Sequence, residues 1–452
     1  MRKAVFLLVS LACIGHGRRW QAANQQGKSR DKVRKERLEP CRLLGTCNAL
    51  KVFAKMILAL PPSTGWQLTG AMYGTDHVWR ARLRPVPNCQ VRRQHDNAVM
   101  SSASAMTAPM VPAAPPLVWN EEPDNLWTFN GWKEAPGLTV NYIAAGPPDA
   151  QPFLLIHGFG ASGFHWRRNV NVLAAAGYRV YAIDLIGFGL SSKPVIDYDS
   201  RLWREQCAAF LREVAGCGDS GRRAIVAGNS IGGYTALAVG AEYPELTLGV
   251  ASLNGAGRFS PSPEEAEALQ VAEAAREQRS NLQVMIDDAL ENLATSVKRT
   301  VAYIGLFVTK QPLRIKQVLQ QVYPVSPEAA DDELVDSIVY PAEDSPGLAP
   351  PGKIPEVFYR IVSRNARGGA LPVDKLIDQL QVPLLLLWGE KDPWVVSAMG
   401  DRAQASAEAS GVDVRRVSVD AGHCPQDEAP EAVNKGLLDF ANELLVDEPK
   451  EQ

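Results

Sequence analysis

From Trp127 onward, short apolar runs alternate with longer stretches in which apolar residues recur every three or four positions. The short runs read as buried strands and the longer ones as crossover helices, the pattern of a mostly parallel sheet covered on both faces. The predicted strands are Leu138–Ile143, Phe153–Ile156, Val180–Asp184, Ala224–Ala227, Leu248–Leu253, Leu384–Leu387 and Val414–Val419. Between Phe259 and Leu371 the alternation stops. Helical periodicity takes over at Glu264–Gln278, Met285–Leu306 and Leu313–Val322, which predicts a helical cap inserted between two core strands. A helix at Val373–Leu380 then leads back into the core. The expected organisation is a core over 119–258, a cap over 259–371 and the rest of the core over 372–447.

Residues 1–118 do not share this pattern. Met1-Arg2-Lys3 and the apolar run that follows resemble a signal peptide too short to span a bilayer, and the stretch through Arg93 is Arg-rich and acid-poor. Ser101 to Pro116 reads as a disordered Ser/Ala/Pro/Met-rich linker. A bipartite leader of this kind suits a plastid reached through the secretory route. The alternatives are delivery to the secretory pathway itself, or translation that starts at Met100 or Met106.

Charge supports the division. Residues 1–110 hold 18 Lys/Arg and 5 Asp/Glu, whereas the remainder holds 29 basic and 45 acidic residues. An acidic body argues against nucleic acid as a partner. The seven cysteines show no C-x-x-C and no metal-ligand spacing with histidine, so they read as free thiols, with a Cys207–Cys217 disulfide as the less favoured alternative. Neither metal nor organic cofactor is implied. Membrane contact, such as with a thylakoid surface, is expected to be peripheral.

The chemistry gathers at predicted strand ends. Gly228-Asn229-Ser230-Ile231-Gly232 lies between the strand Ala224–Ala227 and a helix, a setting that pushes a serine hydroxyl out at the top of a sheet. Such a hydroxyl needs a base, and His423, just after the last predicted strand, supplies one. Asp392, after the strand Leu384–Leu387, is the acid to orient it, with Glu390 as rival. Asp420 and Asp427, which flank the base, read as ordinary solvated charges. Backbone N–H groups of Ile231 and Phe159, within His157-Gly158-Phe159-Gly160, are the expected oxyanion donors. His157 is expected to shape that loop rather than to transfer protons. Gly158, Gly160, Asn229 and Trp394 are candidate substrate contacts, and Asn229 could equally steady the elbow. Asp184-Leu185-Ile186-Gly187-Phe188-Gly189 lacks a third glycine and a ribose-binding acid, so it reads as a strand-end turn, not a dinucleotide site. The chain order Ser230, Asp392, His423 is that of the α/β-hydrolase fold.

From about Trp127 to Leu445 the chain resembles the plastid pheophytinase and chlorophyll dephytylase branch of α/β-hydrolases. The resemblance rests on Ile156 to Ser162, His165-Trp166-Arg167, Gly228 to Tyr234, Trp388 to Trp394 and Gly422 to Glu428. It departs from that branch at Ile231 and at Asn254 to Arg258. The resemblance implies hydrolysis of a phytyl ester of pheophytin or a related pigment. Val284, Met285, Ile286 and Leu290, together with Val301, Ile304, Leu306, Phe307 and Val308, are candidates to hold the isoprenoid chain, unless they form the cap's own core. The same three catalytic groups would also serve a C–C bond hydrolase or a general esterase. A fold of this kind can instead act as a small-molecule receptor. Haloalkane and epoxide opening require an aspartate where this chain has Ser230.

Overall fold

The computed structural model describes residues 111–277, 281–343, 348–364 and 370–447. The leader expected over 1–118 therefore lies almost entirely outside the described residues. Eight strands form one sheet in the order β1-β2-β4-β3-β5-β6-β7-β8. They are β1 Asn125–Phe129, β2 Leu138–Ala145, β3 Pro152–Ile156, β4 Arg179–Ile183, β5 Ala224–Asn229, β6 Thr247–Leu253, β7 Leu384–Gly389 and β8 Val414–Val419. β1 and β2 run antiparallel to their neighbours and the other pairs are parallel.

Buried residues alternate between the two faces of the sheet. Leu154, Ile156 and Val226 join one apolar cluster, while Phe153, Leu155 and Ile225 join the other. A strand buried on both sides has no polar face, which explains why β3, β5 and β7 read as unbroken apolar runs. β1 was not among the predicted strands. Only Phe129 of its five residues is buried, so its apolar residues Leu126, Trp127 and Phe129 do not make the unbroken run of a doubly covered strand, and it is held by pairing with β2.

The core helices are α1 Val170–Ala175, α2 Ser200–Glu213 and α3 Ile231–Glu242 before the long interval, and α9 Val373–Ile377, α10 Ser397–Ala409, α11 Pro425–Glu428 and α12 Pro430–Asp447 after it. Between β6 and β7 the described residues form α4 Pro263–Glu277, α5 Asn281–Thr309, α6 Pro312–Val322, α7 Asp332–Val339 and α8 Ile354–Arg364, and no strand. The last two were not singled out from the sequence. A third apolar cluster joins α6 and α7 to Phe164 and Cys424 of the core, anchoring this helical layer near the sheet's carboxyl edge.

Candidate active site

Ser230 stands between β5 and α3 with φ 57° and ψ −119°, a left-handed conformation that costs a residue with a Cβ about 1–3 kcal/mol. The elbow's glycines answer a different need from the one their presence first suggests. Neither Gly228 nor Gly232 has a positive φ; both are required for close approach. A Cβ on Gly228 would stand 2.1 Å from the Gly232 carbonyl oxygen, and one on Gly232 would stand 2.3 Å from that of Ile156. The serine takes the strained dihedrals and the glycines let the turn close around it.

His423 and Asp392 meet in a buried pair. His423 Nδ1 lies 2.6 Å from Asp392 Oδ2. An ionised carboxylate only accepts, so Nδ1 carries the proton and Nε2 is left as the atom able to take one. Asp392 is further held by the backbone N–H groups of Trp394 and Val395, both donating to Oδ1. Asn254, at the end of β6, donates its side-chain amide to Oδ2 at 2.9 Å. Its other amide contacts are with Gly389: Oδ1 accepts the N–H at 2.8 Å, while Nδ2 also reaches the carbonyl at 3.2 Å. Like Ser230, Asn254 has a positive φ, 43°. Sequence reasoning gave Asn254 no role. The available signal was an asparagine directly after a buried strand, a residue type that, after glycine, tolerates that backbone region best.

The two halves of the site are tied together by Asn229. Its amide donates to the carbonyl oxygens of Leu253 (3.2 Å) and His423 (2.8 Å), and the residue is 1% exposed. Its two amide donor contacts are with backbone, which is the elbow-steadying alternative of the two expected for it. Gly158 lies against Ser230, since a Cβ there would meet Ser230 Cβ at 3.3 Å. Gly160, at φ 74°, lets the same loop turn away. The Phe159 ring sits 5.6 Å from Phe188 and 6.1 Å from Phe358 of α8, and the Trp394 ring sits 5.2 Å from His423. Aromatic side chains of the core and of the helical layer thus meet at the Gly158 loop, and another stands against His423. Glu390 turns elsewhere, to Ser418, Arg416 and Ser397.

His157 accepts a hydrogen bond from the Leu185 N–H at Nε2 and donates from Nδ1 to the Gly158 carbonyl. Both ring nitrogens are used, and burial pushes its pKa down. It is a neutral brace for the Gly158 loop. Asp184 likewise binds the N–H groups of Gly163 and Leu190 and the Asn141 amide, which makes its segment a strand-end turn.

Asp427 is not a solvated charge. It is 1% exposed and forms ion pairs with Arg167 and Arg168 at 2.9 and 3.1 Å. Tyr323 donates to Asp427 Oδ2, and His165 Nε2–H donates to the Tyr323 oxygen at 2.7 Å. These contacts lock the Arg167 loop and the α6 end to α11, next in the chain to His423 and Cys424. The adjacent Val322 carbonyl accepts the His423 N–H at 3.0 Å. Cys207, Cys217 and Cys424 are free, buried thiols.

Part of the apolar stripe expected to hold an isoprenoid chain faces outward. Ile304 and Phe307 are 59% and 68% exposed and Val308 is exposed too, while Leu306 is buried. The side chains of Val284, Met285, Ile286 and Leu290 lie outside the described residues.

A family model described as the alpha/beta hydrolase family matches residues 153–435, more than half of the chain. The chain is similar to chloroplastic pheophytinase of Arabidopsis thaliana, at 28% identity over 345 residues that cover 67% of this chain and 63% of the relative. It thus spans less than two thirds of that relative's length. It is also similar to epoxide hydrolase B of Mycobacterium tuberculosis, at 27% identity covering 68% of this chain and 96% of the relative. A solved thermophilic esterase from Thermogutta terrifontis shares the fold with a TM-score of 0.50, at 19% identity over 71% of this chain and 99% of that one. With the eight-stranded sheet and the elbow at Ser230, the family match carries the conclusion that this chain belongs to the alpha/beta hydrolase family.

Proposed function

We propose that the protein is a serine carboxylic-ester hydrolase working through an acyl-enzyme, with Ser230 as nucleophile, His423 as base and Asp392 as the acid that orients it. The observation that carries this is the buried Asp392–His423 pair, with Nδ1 protonated and its loop tied by Asn229 to the elbow that holds Ser230. Ser230 Oγ attacks the ester carbonyl carbon while His423 Nε2 takes its proton. The oxyanion of the tetrahedral intermediate accepts hydrogen bonds from the backbone N–H groups of Phe159 and Ile231. As the C–O bond breaks, His423 returns the proton to the departing alcohol. Water then attacks the acyl-enzyme, losing a proton to His423, which returns it to Ser230 Oγ as the acyl–oxygen bond breaks and the carboxylic acid leaves.

The substrate class is a hydrophobic ester, and within it a phytyl ester of pheophytin or chlorophyll type. The aromatic border made by Phe159, Phe188 and Trp394 favours an apolar ligand, and each buried CH₂ of an isoprenoid chain contributes about 0.8 kcal/mol. Similarity to pheophytinase favours the pigment ester, and a plastid location belongs to the same proposal. An epoxide route through an alkyl-enzyme ester needs a carboxylate at the elbow, where this chain has Ser230.

Labelling with a fluorophosphonate tests the nucleophile: the natural chain should be labelled and Ser230→Ala should not. Incubation with pheophytin, followed by chromatography for free phytol, tests the substrate. If only short esters are cleaved, the pigment assignment falls and the ester-hydrolase assignment stands. If Ser230→Ala keeps both label and activity, the mechanism falls with it.

A further inference from the structure

Helix α5 has two unlike sides in its carboxyl half. One packs on α8: Ala302 and Leu306 are buried, and Arg299 and Tyr303 both bond Glu356. The other carries Val297, Ile304, Phe307 and Val308 at spacings of seven, three and one, one continuous face of a helix. All four are exposed, and Leu313, at the start of α6, adds a side chain 68% exposed. Single exposed apolar residues need no explanation, but a row of large ones on one helix marks an interaction surface.

Charge identifies what that surface fits. Residues 292–327 hold Lys298, Arg299, Lys310, Arg314 and Lys316 and not one acid, in a body whose residues beyond 110 are strongly acidic. Arg299 and Lys316 are paired with Glu356 and Asp332. Lys310 and Arg314 stand directly beside Phe307, Val308 and Leu313 in the chain. A second copy docked on this face would bring cations against cations. Apolar side chains with a basic collar match the acyl-headgroup boundary of an anionic bilayer. No described helix is long and apolar enough to cross a membrane, so contact through this face would be peripheral.

We propose that this outer face of the helical layer, Ile304, Phe307, Val308 and Leu313 collared by Lys310 and Arg314, is a docking surface for an anionic lipid bilayer. The opposite side of α5 packs on α8, whose Phe358 meets Phe159 of the loop beside Ser230. A bilayer bound here therefore lies one helix pair from the loop beside Ser230. The surface does not depend on the ester-hydrolase assignment, since binding needs no turnover.

The test uses the full chain with phosphatidylcholine vesicles that contain phosphatidylglycerol, against pure phosphatidylcholine. Hydrogen exchange over residues 297–316 gives a local readout that the basic leader cannot mimic. Exchange there should slow with the anionic vesicles only, and the effect should fade with salt. Phe307→Ser with Leu313→Ser should weaken binding at this face roughly tenfold or more, because two large side chains lose their burial. Both are exposed, so turnover of a short soluble ester and the unfolding midpoint should be unchanged. Ser230→Ala should bind like the natural chain. Vesicle binding without protection of 297–316 would overturn the proposal, as would protection that the double variant leaves intact. Protection that appears with rising protein concentration and no vesicles would also overturn it, in favour of a second copy.

Discussion

Asn254 and His423 converge on one oxygen: Asp392 Oδ2 accepts the Asn254 amide at 2.9 Å and the His423 ring at 2.6 Å. Because Asn254 also bonds both the N–H and the carbonyl of Gly389, it fixes the strand end from which Asp392 emerges and the carboxylate itself. Asn254→Ala should lower kcat for a short ester by about 10- to 100-fold with little change in KM, the range expected for one lost hydrogen bond to a charged group. Steady-state kinetics decide it. A variant with more than half the natural kcat would show that the carboxylate is held well enough without Asn254.

Gly232→Ala should be inactive and less stable. The added Cβ would stand 2.3 Å from the Ile156 oxygen and 2.6 Å from that of His157, both backbone atoms that cannot swing aside. Overpacking of this kind costs about 1–3 kcal/mol. Urea unfolding would read the stability, and fluorophosphonate labelling would read whether the elbow still presents Ser230.

Removing the charge at Asp427 should damage the fold more than the chemistry. Asp427→Asn leaves the buried Arg167 guanidinium without its main partner, and breaking a buried pair in this way costs about 3–5 kcal/mol. The measured quantity is the unfolding free energy. A loss under about 1 kcal/mol would mean that Asp331 and Glu333, the other acidic partners of Arg167, are enough to hold its charge.

Acid sensitivity should report His165. Burial pushes its pKa down to about 4 from 6.5, with Asp427 opposing the shift and Arg167 adding to it. The unfolded chain therefore binds a proton at higher pH than the folded one. Stability from this residue is intact above about pH 6.5 and is lost as pH falls toward 4, by roughly 3 kcal/mol in all. His165→Gln should flatten that part of the stability-against-pH curve. If the two curves run parallel between pH 6.5 and 4, the histidine is not the group responsible.

Much of the core was legible because burial on both faces leaves a mark on every residue of a strand. β3, β5, β6 and β7 are wholly buried and were predicted to within a residue or two at most ends. β1 left no such mark, since four of its five residues are not buried and its place comes from pairing with β2. Ser230, Asp392 and His423 were legible for a related reason: each follows a strand that announces itself, and strand ends of a parallel sheet share one edge.

Partnership was not legible. A lone asparagine at 254, an aspartate at 427 and a tyrosine at 323 look the same in a sequence whether solvated or locked together across more than a hundred residues of chain. Nor could the apolar stripe of α5 reveal which way it points, because helical periodicity defines a face without saying what lies against it. Sequence alone determined the sheet, the elbow and the chain order of Ser230, Asp392 and His423, because these depend on local pattern and chain order. The tertiary structure decided which polar groups are buried as partners and which apolar face is left outward, because both depend on contacts between segments that the chain brings together only when folded.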